Sequence, residues 1–211
     1  MWLKAILAVI ISYLLGNLNG AIVASNLRGD DVRTHGSGNA GLTNFIRSYG
    51  ANHALLVVLI DSGKGVLACL ISGLLLRTDL GFTAGTAIGG AAVLLGHMFP
   101  ALFAFRGGKG ILTGLFVSIM VDWRIALLIL AVFAVVYFST RYVSLSSVSA
   151  AVAFGVGFAV FHHDAPIIMI CGVFMGAMAV IMHGPNIKRL LEGKETKTDL
   201  FKKKNYRDLC T

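Results

Sequence analysis

Seven apolar runs, divided by short polar breaks, constrain this chain more than any other feature. They fall at about 3–24, 53–76, 81–103, 111–121, 125–140, 143–161 and 165–183. A bilayer core needs about 20 apolar residues per helical span, and three or four of these runs meet that plainly. Backbone groups in lipid must bond within their own segment, so such runs fold as helices packed side by side. The chain is 56% hydrophobic and 13% charged, with a mean hydropathy of +0.80. A soluble domain of 211 residues has no core large enough for that apolar share. The expected class is an all-α integral membrane protein. One polytopic domain covers 1–211, with no linker to a second.

The helix count turns on 111–140. That stretch is too long for one helix, and Val121-Asp122-Trp123-Arg124 interrupts it. Two short spans joined by a tight turn give a seven-transmembrane-helix bundle; one tilted span would give six. With seven, the termini lie on opposite sides. Arg28, Arg33, Arg47, Arg106, Lys109, Arg141 and the basic tail then share one face, and Lys4, Arg77 and Arg124 the other. The positive-inside rule makes the first face and the C-terminus cytoplasmic, and the N-terminus external.

The net charge of +8 is concentrated after the last apolar run, at Lys188, Arg189, Lys194, Lys197, Lys202, Lys203, Lys204 and Arg207. That placement points to topology and to anionic lipid heads, not to nucleic acid. Cys69, Cys171 and Cys210 have neither a disulfide pattern nor metal-ligand spacing, so no metal and no cofactor are expected. The first run carries Asn17 and Asn19 and lacks the small-x-small exit of a cleaved signal. Gly81, Gly85 and Gly89 form small-xxx-small steps suited to close helix packing. Ile187, Leu190 and Leu191 recur at helical spacing, which predicts a short interfacial helix over 185–192, ended by Gly193.

Three polar islands break the apolar chain. The first, Gly36-Ser37-Gly38-Asn39-Ala40-Gly41-Leu42-Thr43-Asn44, combines glycines with hydroxyl and amide donors. Its glycine N–H groups are expected to face an anion. Thr43 or Asn44 is expected to cap a short helix that carries Arg47 and ends at Gly50. An ordinary polar turn would use the same residue types.

The second island, Arg106-Gly107-Gly108-Lys109-Gly110, directly precedes an apolar helix. Glycine-exposed amides and a lysine at a helix N-terminus make a phosphate site. It is not a Walker A loop, because the first glycine is replaced by Phe103 and the Ser/Thr by Gly110. The third, His183-Gly184-Pro185-Asn186-Ile187-Lys188-Arg189, begins where the last run ends, and its histidine suits a base, an acid or a phosphate donor. His97 also sits where an island meets the membrane. His162 and His163 fall on the external side and are expected to take no part. Asp61 and Lys64 lie three apart inside the second run, on one helix face. Charges there are costly, so mutual pairing or a polar cavity is expected.

These islands resemble the bacterial membrane glycerol-3-phosphate acyltransferases that use acyl phosphate, the PlsY family. The similarity runs over nearly the whole chain. It takes in Gly36-Ser37-Gly38-Asn39 with Gly41, Thr43, Asn44 and Arg47, and the Asp61-x-x-Lys64-Gly65 step. It continues through Gly96-His97-x-Phe99-Pro100, Gly107-Gly108-Lys109-Gly110, and His183-x-x-Asn186-Ile187-x-Arg189-Leu190 with Gly193-x-Glu195. The resemblance implies a seven-span fold with three cytoplasmic motifs in the bacterial inner membrane. It implies acyl transfer from acyl phosphate to the 1-hydroxyl of glycerol 3-phosphate, giving lysophosphatidic acid and phosphate. His183, Asn186 and Ser37 are then catalytic. Gly38, Asn39, Gly41, Thr43, Asn44, Arg47, Lys64, His97, Gly107, Gly108, Lys109, Gly110 and Arg189 bind substrate, and Asp61 and Glu195 are structural supports.

An acyl phosphate is an activated anhydride. Orienting the hydroxyl and stabilising the oxyanion and departing phosphate is then most of the task. No His-Asp relay stands beside Ser37, so direct transfer without an acyl-enzyme is expected, by a chain acting as a monomer. Ser37 would then hold an anion through its hydroxyl and its glycine-flanked amide. The base is His183 or a phosphate oxygen of the substrate. Acyl-CoA chemistry commonly uses His with Asp five positions later, and none of the six histidines has that partner. The alternative class is a membrane transporter of phosphate or glycerol phosphate, which also carries charges within spans. Against it, the motifs crowd one face, and no inverted repeat is visible.

Overall fold

The computed structural model describes residues 1–51 and 53–197. Lys202, Lys203, Lys204, Arg207 and Cys210 lie outside the described residues. Among those described, the elements are helices and turns, with no strand.

The first apolar run is broken into α1 (Trp2–Asn17) and α2 (Gly20–Asn26), bent by 41°. Asn19 makes the break, its side chain accepting from the Ile22 N–H at 3.1 Å as an N-cap. The carbonyls freed at Gly16 and Leu18 accept from Lys64 Nζ at 3.3 and 2.7 Å. Irregular backbone at membrane depth survives where protein satisfies its polar groups in this way.

After α3 (Leu42–Tyr49), the long α4 (Ala54–Leu80) turns at Gly81 into α5 (Phe82–Met98). Gly85 and Gly89 pack against α4 as expected. A Cβ on Gly85 would stand 2.7 Å from the Ser72 carbonyl oxygen, and one on Gly89 2.7 Å from that of Ala68. Gly81 belongs to the turn instead, with φ +86 and nothing within 4 Å. α1 approaches α5 closely at Gly16 and Gly96, where a Cβ on Gly16 would lie 2.7 Å from Gly96 Cα.

Phe99-Pro100 ends α5, and a single 3₁₀ turn follows at Ala101–Phe103. The stretch 111–140 does divide, into α6 (Ile111–Val121) and α7 (Trp123–Thr140). Asp122 makes the joint, accepting from the Arg124 N–H at 2.9 Å. Then come α8 (Val143–Phe161), α9 (Pro166–Met182) and α10 (Gly184–Leu191), the last two bent by 53°. The short helix expected over 185–192 is α10, with Gly193 in the left-handed region just after it. Among the described residues, four helices are long and apolar enough to cross a membrane, or up to six if each bent pair is one span. At 11 residues, α6 is only about 16 Å long.

The helices close into one bundle, with α4 against α1, α5 and α6, α8 between α7 and α9, and α5 against α9. Val93, Val117, Ile125, Phe154 and Phe158 fill its main core. A second cluster, Ile22, Val32, Phe45 and Val57, packs beneath the first polar island. At the far end Lys4 holds Asp79 at 2.8 Å. His162, expected to have no role, joins Arg124 around Asp122 there, at 3.1 and 2.6 Å.

Candidate active site

The three islands converge on one cavity of about 300 Å³. Ser37, Asn39, Gly41, Thr43, Asn44 and Arg47 line it from the first, Lys109 and Gly110 from the second, His183, Asn186 and Glu195 from the third. Asp61 and His97 reach it from α4 and α5. Gly38, Lys64, Gly107, Gly108 and Arg189, also expected among the substrate contacts, do not line it.

Hydrogen bonding explains most of these differences. In the first island the Gly38 N–H donates to the His35 carbonyl at 2.9 Å and the Gly41 N–H to Asn39 at 3.0 Å. The Ser37 N–H donates to Asn44 Oδ1 at 2.9 Å. These amides are spent inside the loop, not held open for an anion. Asn44 is not a cap either. The N-cap of α3 is Gly41, without a side-chain bond. Asn44 instead donates its amide to the Val32 and His35 carbonyls at 3.1 and 3.0 Å, latching the loop shut. Ser37 lines the cavity, and its hydroxyl makes no hydrogen bond among the described residues. The end of α3 at Gly50, φ +78, is where the sequence places it.

The glycine pair of the second island serves close packing. The Gly107 N–H donates to the Met98 carbonyl at 3.2 Å and the Gly108 N–H to that of His97 at 3.1 Å. Those bonds finish the C-terminus of α5 and leave neither amide for an anion. A Cβ on Gly108 would stand 2.6 Å from the Ala40 carbonyl oxygen and would overlap His97 Nε2. Gly110, φ +80, starts α6. The first N–H groups of that helix have no intrahelical partner, and Ile111 and Leu112 line the cavity.

Lys109 Nζ donates to Asn186 Oδ1. Asn186 donates its amide to Glu195 Oε1 at 3.2 Å, and Arg189 Nε donates to Glu195 Oε2 at 2.7 Å. Glu195 thus sets the orientation of the Asn186 amide and occupies Arg189. Burial, with Arg189 and Arg47 nearby, holds the Lys109 ammonium down to about 8, against the opposing pull of Glu195. His183 Nδ1 lies 2.7 Å from the Ala179 carbonyl oxygen. A carbonyl only accepts, so Nδ1 carries the proton and Nε2 is left as an acceptor.

Behind the cavity, Lys64 Nζ meets Asp61 Oδ1 at 2.8 Å, both side chains 2% exposed. The pairing expected of them forms, and it takes Lys64 out of reach of the cavity.

Several lining residues went unread in the sequence. Ser144 and Ser147, on one face of α8, line the cavity, and the buried Ser144 Oγ has no hydrogen-bond partner among the described residues. Leu115, Leu130, Phe133 and Val143, from α6, α7 and α8, form an apolar limb of the cavity. At the sequence level such residues look the same whether they face lipid or a cavity.

A cationic pocket that continues into an apolar limb, set in a membrane bundle, has the chemistry to hold a molecule with an anionic head and an apolar chain. The glycerol-3-phosphate acyltransferase family profile matches residues 6–193. The chain belongs to that family and is an integral membrane acyltransferase. Among relatives so named, one from Thermoanaerobacter sp. (strain X514) is 40% identical, the match covering 92% of this chain and 95% of the relative. Another, from Aquifex aeolicus (strain VF5), is 36% identical, covering 92% and 98%. Two solved structures of PlsY (YgiH), an integral membrane glycerol 3-phosphate acyltransferase, superpose on the chain, each at 34% identity. The glycerol 3-phosphate form gives a TM-score of 0.82, covering 94% of this chain and 99% of that one. The lysophosphatidic acid form gives 0.79, covering 92% and 95%.

Proposed function

We propose that this protein transfers a fatty acyl group from acyl phosphate to the 1-hydroxyl of glycerol 3-phosphate, releasing lysophosphatidic acid and phosphate. The observation that carries the reading is the composite cavity. Arg47, Lys109 and the start of α6 supply positive potential for phosphate, while Leu115, Leu130 and Phe133 offer an apolar limb for an acyl chain. The naming of close relatives, and of their glycerol 3-phosphate and lysophosphatidic acid forms, supports the acceptor and the product.

In this reading Lys109, Arg47 and the Ser37 hydroxyl hold the phosphates, with Asn39 and Thr43 beside them. Asn186, oriented by Glu195, positions Lys109. Gly38, Gly41, Asn44, Gly107, Gly108 and Gly110 shape the loops, and Asp61 and Arg189 act as supports. His183 Nε2 receives the hydrogen bond of the glycerol hydroxyl. The hydroxyl oxygen attacks the acyl carbonyl carbon, an ester bond forms, and the carbon–oxygen bond to phosphate breaks with its electron pair on phosphate. An imidazolium at His183 would be a second cation beside the Lys109 ammonium. The proton therefore ends on a phosphate oxygen, directly or through His183; phosphate monoesters have a second pKa of about 6. No step uses a metal or cofactor.

The bundle crosses the bacterial cytoplasmic membrane seven times, with α6 as a short span, as a monomer of one domain. Its N-terminus is external, and the cavity and C-terminus face the cytoplasm.

Purified protein given acyl phosphate, acyl-CoA or acyl-carrier protein with glycerol 3-phosphate tests the reaction. Equimolar lysophosphatidic acid and phosphate are expected from acyl phosphate alone. Turnover only with another donor, or glycerol phosphate flux into liposomes without acyl transfer, overturns it.

A further inference from the structure

The buried network behind the cavity assigns one more role. A lysine ammonium has three protons. Lys64 Nζ has three acceptors within 2.8 Å: Asp61 Oδ1 at 2.8 Å, the Leu18 carbonyl at 2.7 Å and His97 Nδ1 at 2.7 Å. The Gly16 carbonyl is farther, at 3.3 Å. Asp61 Oδ1 also accepts from the Gly20 N–H at 3.1 Å.

A proton on His97 Nδ1 would point into the ammonium. Asp61 Oδ1, at 3.6 Å, is too far to take it as a hydrogen bond. Nδ1 is therefore an acceptor, and the neutral ring carries its proton on Nε2. His97 is only 4% exposed. Its Nε2 makes no hydrogen bond to any described residue. It sits over Gly108, where even a Cβ would collide with it, and the ring lines the cavity with Lys109.

We propose that Lys64 is a positioning residue that fixes His97 in its Nε2–H tautomer, a neutral hydrogen-bond donor aimed at a phosphate oxygen of substrate in the cavity. The role rests on the reading that a phosphorylated substrate lies against the Lys109 loop. It replaces the direct substrate contact expected of Lys64 from sequence. The break between α1 and α2 belongs to the device, because Leu18, the extended residue after α1, supplies the carbonyl that fills the third ammonium position. A neutral donor adds direction to phosphate binding without a further cation beside Lys109.

Two measurements test this, on the full chain in lipid nanodiscs. The first is side-chain ¹⁵N NMR of histidine-labelled protein, with His97 assigned by its loss in His97→Gln. A protonated Nε2 and an unprotonated Nδ1 are expected, and Lys64→Met should convert the signal to a tautomer mixture. An Nδ1–H ring or an imidazolium in the parent overturns the assignment. A pure Nε2–H ring in a folded Lys64→Met overturns the role of Lys64.

The second is a kinetic comparison. A glutamine amide reaches the Nε2 position and an asparagine amide only Nδ1. His97→Asn should raise KM for glycerol 3-phosphate or acyl phosphate by about thirtyfold, within the range of one lost charge-assisted hydrogen bond. His97→Gln should recover most of that loss. Equal losses in both variants overturn the donor role. The parent spectrum and the His97 pair decide the tautomer and the donor role, and if Lys64→Met fails to fold, Lys64→Gln read in the same spectrum decides the role of Lys64 by the same two outcomes. The spectrum does not depend on turnover, so failure of the acyl-transfer reading is seen separately, in the parent's assay.

Discussion

His183 donates its Nδ1–H to the carbonyl oxygen of Ala179, 2.7 Å away and one turn back on α9. That bond uses the last turn of a membrane helix to present Nε2 to the cavity as a lone pair. His183→Ala is expected to lower kcat by about 10²-fold, the lower end for loss of a positioned proton-handling group. KM for glycerol 3-phosphate should change little. A rise in KM with kcat unchanged would make the imidazole a phosphate ligand instead.

Lys109 sets the alkaline side of the pH profile. Its ammonium is held down to about 8, so the charge for phosphate is present below that pH and lost as pH rises through it. We expect kcat/KM for glycerol 3-phosphate to fall above about pH 8. In Lys109→Arg, whose charge persists, the fall should move up or vanish. Stability has the opposite sign. The unfolded lysine titrates near 10.5, so the unfolded state binds more protons between the two values, and the fold gains stability with pH in that window. Parallel rate and melting profiles check both.

Asp61 and Lys64 are close to fully buried and share one short contact. Asp61→Asn leaves a buried ammonium poorly compensated, and removing one partner of such a pair typically costs about 3–5 kcal/mol. A marked loss of thermal stability in detergent or nanodiscs is expected. A combined change of both residues to neutral ones should recover part of it. A single variant that melts like the parent would show that the pair lies in a wet site.

Topology is open to chemical labelling. Single cysteines introduced near residues 38, 108 and 195, after removal of the native ones, are expected to react only from the cytoplasmic side. External labelling of any one of the three contradicts the seven-span arrangement.

Local chemistry was legible in the sequence, and partners distant along the chain were not. Asp122, Gly50 and Gly193 mark helix ends through capping or a left-handed backbone, and each was visible as a local signal. The three islands were visible as breaks in hydropathy. What their amides bond to was not, because the Gly107 and Gly108 N–H groups find carbonyls at the end of α5. Glycine there reports close approach as readily as anion binding. Lys64 was placed on the right helix face, yet its destination depends on the Gly16 and Leu18 carbonyls, 48 and 46 positions away. The apolar limb and Ser144 had no signal at all, since a serine or leucine in a hydrophobic helix does not say which face meets the cavity.

Direct transfer requires both substrates in the cavity at once, and labelled acyl phosphate tests it most directly. The protein is incubated with labelled donor alone and denatured, and initial rates are measured across both substrates. No acyl adduct and a sequential rate pattern are expected, with label passing to lysophosphatidic acid only when glycerol 3-phosphate is present. A stoichiometric acyl adduct on Ser37, with ping-pong kinetics, would contradict direct transfer and make that serine the nucleophile.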